Sequence, residues 1–244
     1  MTTFRIDFAY DGTDFHGYAK QPNVRTVQGE LETALFKMTG PVETEVAGRT
    51  DRGVHATAQV VSFVSDIALG TDVICRSLNR QVGPEIGVAG VSVVPDGFSA
   101  RFSATGRAYT YRVLNRENPD PFLSRISYHF REPLGVDLMN EGMAYLVGLH
   151  DFAALCRRAP NRSTERRVDK AVWSDRGDGL LAFDVAASSF CHQMVRSLVA
   201  VSVEVGRGRV APDMVAKILE SRDRRQGKGA SPARGLTLVA VKYD

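Results

Sequence analysis

The amino-acid sequence predicts an α+β protein made of two ferredoxin-like (RRM-like) halves. In the first half, residues with strand alternation and residues with helical spacing follow in the order strand, helix, two strands, helix, strand. A comparable order returns in the second half. Because this is the order of a ferredoxin-like unit, we place the halves at residues 1–104 and 105–244 and expect antiparallel sheets flanking a central cleft.

Each element of the first half has a recognisable pattern. Phe4 to Tyr10 alternates in the manner of a strand, and Asp11-Gly12 signals the turn that follows it. Thr26 predicts the N-cap of a helix whose apolar residues recur at helical spacing. The other predicted elements are strands at Val42 to Val46, Gln59 to Val64 and Ile86 to Val94, and a helix at Asp72 to Arg80.

The second half contains four predicted strands and three predicted helices. The strands are Ala108 to Leu114, Arg167 to Ser174, Leu180 to Ala186 and Leu236 to Tyr243, and the helices are Leu138 to Leu146, Cys191 to Glu204 and Pro212 to Glu220. One alternative stays open, because Val199, Val201, Val203 and Val205 alternate with period two and also fit an extended segment. The charged, glycine-containing stretch Ser221 to Ala233 predicts a loop.

The composition excludes disordered and fibrous classes and only mildly favours a polyanionic partner. Of 244 residues, 43% are hydrophobic and 24% charged, and the net charge is +3. A groove for polyanions must therefore arise from local clusters of arginine and lysine rather than from overall charge. The clusters are Arg157-Arg158, Arg162 with Arg166-Arg167, Arg207 with Arg209, and Arg222 to Lys228.

The cysteines and the absence of targeting patterns favour a cytoplasmic protein without a membrane partner. Cys75, Cys156 and Cys191 are odd in number and lack the spacing of a metal or redox site, so we expect three unbridged thiols. No stretch has the pattern of a signal peptide or the length of a membrane span. Gly227 to Ser231 lacks the full spacing of a nucleotide-binding loop, so no nucleotide cofactor is expected.

The run from Val46 to Ala56 is the strongest candidate for chemistry. Asp51 lies between Arg49 and Arg52, and Gly48 and Gly53 bracket all three. Nearby cations favour the charged form of a carboxylate, and glycines permit tight turns and close approach of a ligand. The pattern fits an ionised nucleophile on a loop, although an isolated run of this kind also fits a surface turn with solvated charges.

Two distant segments favour the functional interpretation. On a strand, Tyr109 and Tyr111 share one face, and on a helix His192 and Arg196 share one side. With these segments the chain resembles the tRNA pseudouridine synthase A family over nearly its whole length. The matching motifs are Tyr10 to Thr13, Val27-Gln28, Gly48 to His55, Phe98 to Ala104, Tyr109 to Tyr111, His150 to Phe152, His192 to Arg196 and Gly235-Leu236.

The resemblance implies an enzyme that isomerises uridine to pseudouridine in the anticodon stem-loop of tRNA, at tRNA positions 38–40. It implies a catalytic cleft, no metal, redox or nucleotide cofactor, and a homodimer in which one tRNA contacts both subunits. Such an enzyme must take the base out of its stack, at a cost of a few kcal/mol.

The resemblance also implies roles for individual residues. Asp51 attacks the nucleoside at C1' or initiates elimination from the sugar, Arg196 holds Asp51 in place, and Tyr109 packs on the uracil and assists proton removal from C5. Four further residues are candidates for substrate binding, although His55 and His192 also fit local structural roles and Tyr111 also fits the core. They are Arg49, His55, Tyr111 and His192.

Two departures from the family pattern concern tRNA docking. Members carry Trp-Gln-x-Gln where this chain has Tyr18-Ala19-Lys20-Gln21, and a His-His pair where it has His192-Gln193. A noncatalytic RNA-binding module is the main competing interpretation, because ferredoxin-like sheets with aromatic residues commonly bind RNA. A glycosidase would need a second carboxylic acid, and none stands out within the motifs.

Overall fold

The computed structural model describes residues 1–157 and 162–243, which form a mixed α+β protein as predicted. Arg158 of the first basic cluster lies outside the described residues. Contacts divide the chain into two compact units, one formed by Met1–Thr105 with the chain from Thr237 onward, the other by Gly106–Leu236. No helix among the described residues has the length and apolar character needed to cross a membrane.

The described residues contain strands and helices close to the predicted ones. The strands are β1 (Thr2–Tyr10), β2 (Glu45–Val46), β3 (His55–Ser65), β4 (Ile86–Val94), β5 (Ala104–Leu114), β6 (Tyr128–His129), β7 (Gly148–Asp151), β8 (Glu165–Asp175), β9 (Leu180–Ala187) and β10 (Leu236–Tyr243). The helices are α1 (Val27–Thr39), α2 (Thr71–Val82), α3 (Val136–Ala144), α4 (Met194–Gly206) and α5 (Met214–Ser221), with 3₁₀ turns at Ala153–Leu155 and Ala233–Gly235.

The first unit has the ferredoxin-like arrangement. Its sheet has the order β4-β1-β3-β2, and the pairs β1–β4, β1–β3 and β2–β3 are all antiparallel. Helix α1 begins as predicted, because the Thr26 hydroxyl accepts a hydrogen bond of 3.2 Å from the backbone N–H of Gly29. The alternating side chains of β1 and the apolar stripe of α1 form the core between sheet and helices.

The last strand belongs to the first unit, whereas the sequence prediction placed it in the second half. It runs parallel to β3, with Thr237 opposite His55 and Leu238 opposite Ala56. At its far end the hydroxyl of Tyr243 donates a 2.8 Å hydrogen bond to the carbonyl of Ala100. The amino-acid pattern of a strand does not reveal its neighbours, so the assignment depended on chain order alone.

The second unit has an antiparallel sheet of order β5-β9-β8-β7, and β6 adds a short parallel pair with β5. The elements β5, α3, β8, β9 and α4 follow the ferredoxin-like order, and β7 is an addition that the sequence analysis missed. Helix α4 is regular throughout, so the extended alternative for Val199 to Val205 is wrong. Most residues of α4, including these valines, are buried. The sequence of α4 therefore lacks the regularly spaced polar residues that mark a surface helix.

Cys156 and Cys191 form a disulfide in the second unit, with their Cα atoms 5.8 Å apart. The prediction of three unbridged thiols is therefore wrong for this pair, and Cys75 is the free cysteine among the described residues. The two residues are separated by 35 positions, so only the tertiary fold brings them together.

Candidate active site

Asp51 lies on the connection between β2 and β3, as the sequence predicts. We call residues 47–54 the Asp51 loop. The loop ends in a turn in which the N–H of Val54 donates to the carbonyl of Asp51 at 3.2 Å, and Gly53 takes a φ of 77°. The side chain of Asp51 is half-buried, while those of Arg49 and Arg52 are exposed. The turn thus presents a carboxylate at the surface with two guanidinium groups on neighbouring residues.

Glycines of the segment after β1 pack closely against the Asp51 loop. A Cβ on Gly12 would overlap the carbonyl oxygen of Val54. Gly17, at a φ of 96°, lies where a Cβ would come within 3.2 Å of the carbonyl oxygen of Thr50. The next residue, Tyr18, donates its backbone N–H to the same carbonyl at 3.1 Å. Glycine is therefore required at both positions because backbone approaches backbone.

His55 lies inside the first unit rather than at its surface, with 4% of its area exposed. Its Nδ1 accepts a hydrogen bond of 3.1 Å from the backbone N–H of Gly12 and lies 3.1 Å from the carboxylate of Asp11. These contacts tie the segment after β1 to the start of β3. They favour the structural role that the sequence analysis left open for this residue.

Tyr109 and Tyr111 point inward from β5 in the second unit. Tyr109 is 8% exposed, lies opposite Val185 of β9, and meets the ring of Phe190 edge to face at 5.0 Å. Tyr111 is fully buried and donates its hydroxyl to the carbonyl of Pro232 at 2.8 Å. Burial raises the pKa of Tyr111 well above its ordinary value. Tyr111 therefore belongs to the core, whereas Tyr109 keeps a small exposed area.

Arg196 lies in the first turn of α4 and is oriented by Ser231. Its Nε donates to the carbonyl of Ser231 at 2.7 Å, and its own carbonyl accepts from the N–H of Ser231 at 3.0 Å. The guanidinium is thereby fixed by the end of the Ser221 to Ala233 loop. The sequence analysis missed this contact, because the two residues are distant in the chain and nothing in the sequence pairs them.

His192 is exposed in the turn that precedes α4, so its predicted helical pairing with Arg196 is wrong. The helix begins only at Met194, because Gln193 takes a left-handed conformation with a φ of 64°. The Oε1 of Gln193 accepts a 3.0 Å hydrogen bond from Arg224. The departure at position 193 therefore has a local structural role at the start of the helix.

The basic clusters differ in how far acidic residues neutralise them. Arg207 contacts Glu132 at 2.6 Å and Glu204 at 2.7 Å, and these contacts hold the pKa of Glu132 below its usual value. By contrast, burial and the nearby Arg162 lower the pKa of Arg166. The Nε of Arg166 is buried without a hydrogen-bond partner among the described residues. Arg166 is thus a partly buried cation with a second guanidinium group, that of Arg162, nearby.

No group of three or more His, Cys, Asp and Glu side chains within residues 1–157 and 162–243 has the geometry to hold a metal ion. The candidate residues come from both units: Arg49, Asp51 and His55 from the first, and Tyr109, Tyr111, His192 and Arg196 from the second.

Comparison with known proteins gives one consistent result. A family described as tRNA pseudouridine synthase matches residues 8–103 and 143–244. A protein of Moorella thermoacetica named tRNA pseudouridine synthase A is 41% identical and is covered over 100% of both chains. Another of that name, from Leifsonia xyli, is 40% identical over 99% of this chain and 92% of its own length.

Among solved structures, the archaeal box H/ACA sRNP Nop10–Cbf5 complex contains a chain that is 12% identical, with a TM-score of 0.36. The match covers 96% of this chain and 47% of that one.

Proposed function

The chain belongs to the tRNA pseudouridine synthase family, and from this premise we propose that it isomerises uridine in the anticodon stem-loop of tRNA with Asp51 as the nucleophile. The observation that carries the proposal is the full-length similarity to relatives named tRNA pseudouridine synthase A. The geometry of the Asp51 loop supports the choice of residue, because a hydrogen-bonded turn presents a half-buried carboxylate between two exposed arginines.

The proposed reaction rearranges one nucleotide without adding or removing atoms. The C1'–N1 bond breaks, the uracil turns in place, and a C1'–C5 bond forms. The proton on C5 is lost and N1 gains a proton, so charge balances and no oxidant or reductant is consumed. The Asp51 carboxylate either bonds to C1' and leaves when C5 attacks, or takes a proton from the sugar and later returns it. Both routes require its ionised form.

Tyr109 and Arg196 have supporting roles in the proposal. The detached uracil must be held while it turns, and the ring of Tyr109, which keeps an exposed area of 8%, is the proposed surface on which the base packs. The Tyr109 hydroxyl is proposed to relay the C5 proton, donating its own proton to solvent as it takes the one from C5. Arg196, whose orientation is fixed by Ser231, is the proposed counter-ion of Asp51. Arg49 and His192, both exposed, are proposed to contact RNA.

The family resemblance further leads us to propose that the protein acts as a homodimer in the cytoplasm. Extruding the target uridine costs a few kcal/mol, which phosphate contacts must offset. The Arg162–Arg166 pair supports this part of the proposal, because two guanidinium groups close enough to lower the pKa of Arg166 concentrate positive charge.

The decisive experiment compares the wild-type protein with the variant Asp51→Asn. Each is incubated with an unmodified tRNA transcript, and pseudouridine is mapped by carbodiimide modification and primer extension. Wild type should modify the anticodon stem-loop, and the variant should lose at least about 10³-fold in rate, as nucleophile removal does elsewhere. Asp66→Asn, which removes the charge of an exposed aspartate in the same unit, should retain full activity.

Two outcomes would count against the proposal. Retained activity in Asp51→Asn would remove Asp51 from the chemistry. Binding of tRNA by wild type with no pseudouridine formed would favour the noncatalytic RNA-binding module instead.

A further inference from the structure

Tyr10, Thr50 and Gln59 form a buried chain of polar side chains beneath the Asp51 loop. The hydroxyls of Tyr10 and Thr50 lie 2.8 Å apart, and the Nε2 of Gln59 donates to the Tyr10 hydroxyl at 3.2 Å. The same Nε2 donates to the carbonyl of Gly48 at 2.9 Å. These polar side chains therefore hold the loop at two points, Gly48 and Thr50, which lie on either side of Arg49.

Strand pairing places Gln59 on the same face of the sheet as Tyr10. In the pairing of β1 with β3, Phe8 lies opposite Gln59, so Gln59 shares the face of Phe8 and Tyr10. A β-bulge follows, because Tyr10 lies opposite Ala56 rather than Thr57. Two steps along β1 thus correspond to three along β3.

Every hydrogen-bonding group of Gln59 is used. Its exposed area is 0%, its Nε2 makes the two bonds above, and its Oε1 accepts from the N–H of Val60 at 3.2 Å. A buried amide without partners would cost about 1–3 kcal/mol, so this residue requires all its neighbours in place. Because an amide nitrogen only donates, the Tyr10 oxygen accepts from Gln59, and the Tyr10 and Thr50 hydroxyls share one hydrogen bond in which either can be the donor. Burial raises the pKa of Tyr10 to about 12, and its hydroxyl is protonated at neutral pH.

The hydrogen-bonded side chains of Tyr10, Thr50 and Gln59 fix the directions of the residues on either side of Thr50. Thr50 is buried, Arg49 before it is exposed, and Asp51 after it is half-buried. Anchoring Thr50 inward therefore directs its two neighbours outward. Backbone contacts also attach the loop to the rest of the first unit. The N–H of Tyr18 donates to the carbonyl of Thr50, and the N–H of Ala47 donates to the carbonyl of Val60. Gly12 and Gly17 pack against the loop. The bonds from Tyr10 and Gln59 differ from these backbone contacts because they come from side chains within the sheet.

We propose that Tyr10 and Gln59 are positioning residues, which set the location of the Asp51 carboxylate by holding the loop at the Gly48 carbonyl and the Thr50 hydroxyl. The inference rests on the proposed function, because it assigns these residues a part in the reaction only if Asp51 is the nucleophile. Neither residue touches the substrate in this proposal. Loss of either hydrogen bond leaves the chemistry intact but lets the carboxylate move away from its productive position.

The test uses two variants that each remove one hydroxyl, Tyr10→Phe and Thr50→Val. For both we expect kcat for pseudouridine formation on a tRNA transcript to fall by about 10- to 100-fold, as small misplacements of a reacting group do. KM should change by less than about threefold, since RNA contacts are untouched. Amide hydrogen exchange should accelerate at Tyr18 and Val54, whose N–H groups bond to carbonyls of the loop.

A matched control is Tyr243→Phe. It removes a tyrosine hydroxyl bond of 2.8 Å in the same unit, at a distance along β10 from the Asp51 loop. This variant should retain kcat and the exchange rates of Tyr18 and Val54. The double variant Tyr10→Phe with Thr50→Val should be no slower than the worse single variant, because the two hydroxyls act through one bond.

Unchanged kcat in Tyr10→Phe and Thr50→Val would overturn the proposal, and so would a lower kcat with unchanged exchange at Tyr18 and Val54. Should Tyr10→Phe fail to fold, Thr50→Val alone decides, because its side chain lies on the loop. If wild type forms no pseudouridine, the proposed function fails, whereas the exchange rates still report whether the polar chain holds the loop.

Discussion

Gly12 places the tightest steric demand on the Asp51 loop, because no side chain fits between it and the carbonyl of Val54. The constraint lies within the first unit and does not involve substrate directly. It gives the turn signal Asp11-Gly12 a second role, since the same glycine that allows the chain to turn after β1 also supports the candidate site.

We predict that Gly12→Ala destabilises the protein and impairs catalysis together. The added Cβ must push the Val54 carbonyl away, at a cost of more than about 2 kcal/mol by comparison with overpacked cores. Chemical denaturation measures the stability, and single-turnover assays measure the rate. Gly87→Ala is the control for inserting a methyl group, because an added Cβ there meets nothing within 4 Å and the backbone is not left-handed. A Gly12→Ala protein with wild-type stability would contradict the steric argument.

Tyr109 offers a second test at the level of one residue. Tyr109→Phe keeps the ring that packs against Phe190 at 5.0 Å and removes only the hydroxyl. If the hydroxyl accepts the C5 proton, kcat should fall by about 10²- to 10⁴-fold, the usual contribution of a general base. The affinity for tRNA should stay unchanged in filter binding. A variant with full turnover would restrict Tyr109 to packing on the base.

Individual residues also show what the sequence could and could not predict. The sequence can point to Asp51 as a candidate, because its arginine and glycine neighbours form a local pattern. It cannot point to Gln59 and Ser231, because their importance comes from partners about ten or more positions away, such as Gly48 and Arg196. His55 was found as a motif residue, but only burial distinguishes its contacts with Gly12 and Asp11 from a role at the surface.

Among the elements, α4 shows how burial can obscure a periodic pattern. A helix covered on most sides needs no polar stripe, so its valines fit strand and helix alike and only the family resemblance favoured helix. Its start was predicted at Cys191 but lies at Met194. The left-handed Gln193 causes the delay, and a left-handed conformation is rarely visible in sequence unless glycine marks it.

The disulfide before α4 makes a prediction about stability. Bridging residues 35 positions apart should contribute up to about 4 kcal/mol by limiting the unfolded chain. Cys156→Ala with Cys191→Ala should therefore lower the free energy of unfolding, measured in urea, and so should reduction of the wild type. Cys75→Ala, which leaves the bridge intact, is the control. Three reactive thiols in the unreduced, denatured wild type would contradict the bridge.

At the scale of the whole molecule, the low net charge of +3 makes the location of the arginines more important than their number. Arg207 is occupied by two glutamates, so its cluster offers less charge to RNA than the count of basic residues indicates. Composition gives the total charge correctly but not this distribution, because ion pairs form between residues that are distant in sequence.

We predict that tRNA affinity falls with added salt and that the Arg162–Arg166 pair contributes to the slope. Replacing both by glutamine should weaken binding and reduce the slope of log K against log salt by about 0.7 to 0.9 for each phosphate that the variant no longer neutralises. Arg76→Gln, at an exposed position on α2, should leave the slope unchanged. Affinity that does not depend on salt would argue against binding through phosphates.

The position of β10 in the first unit also affects how the protein forms on the ribosome. Residues 1–105 emerge well before Thr237, which lies beside His55 at the end of the Asp51 loop. The nascent amino-terminal segment therefore lacks the strand that pairs with the start of β3 until translation reaches β10. We infer that the surroundings of Asp51 are completed late in biosynthesis, although they are encoded near the start of the message.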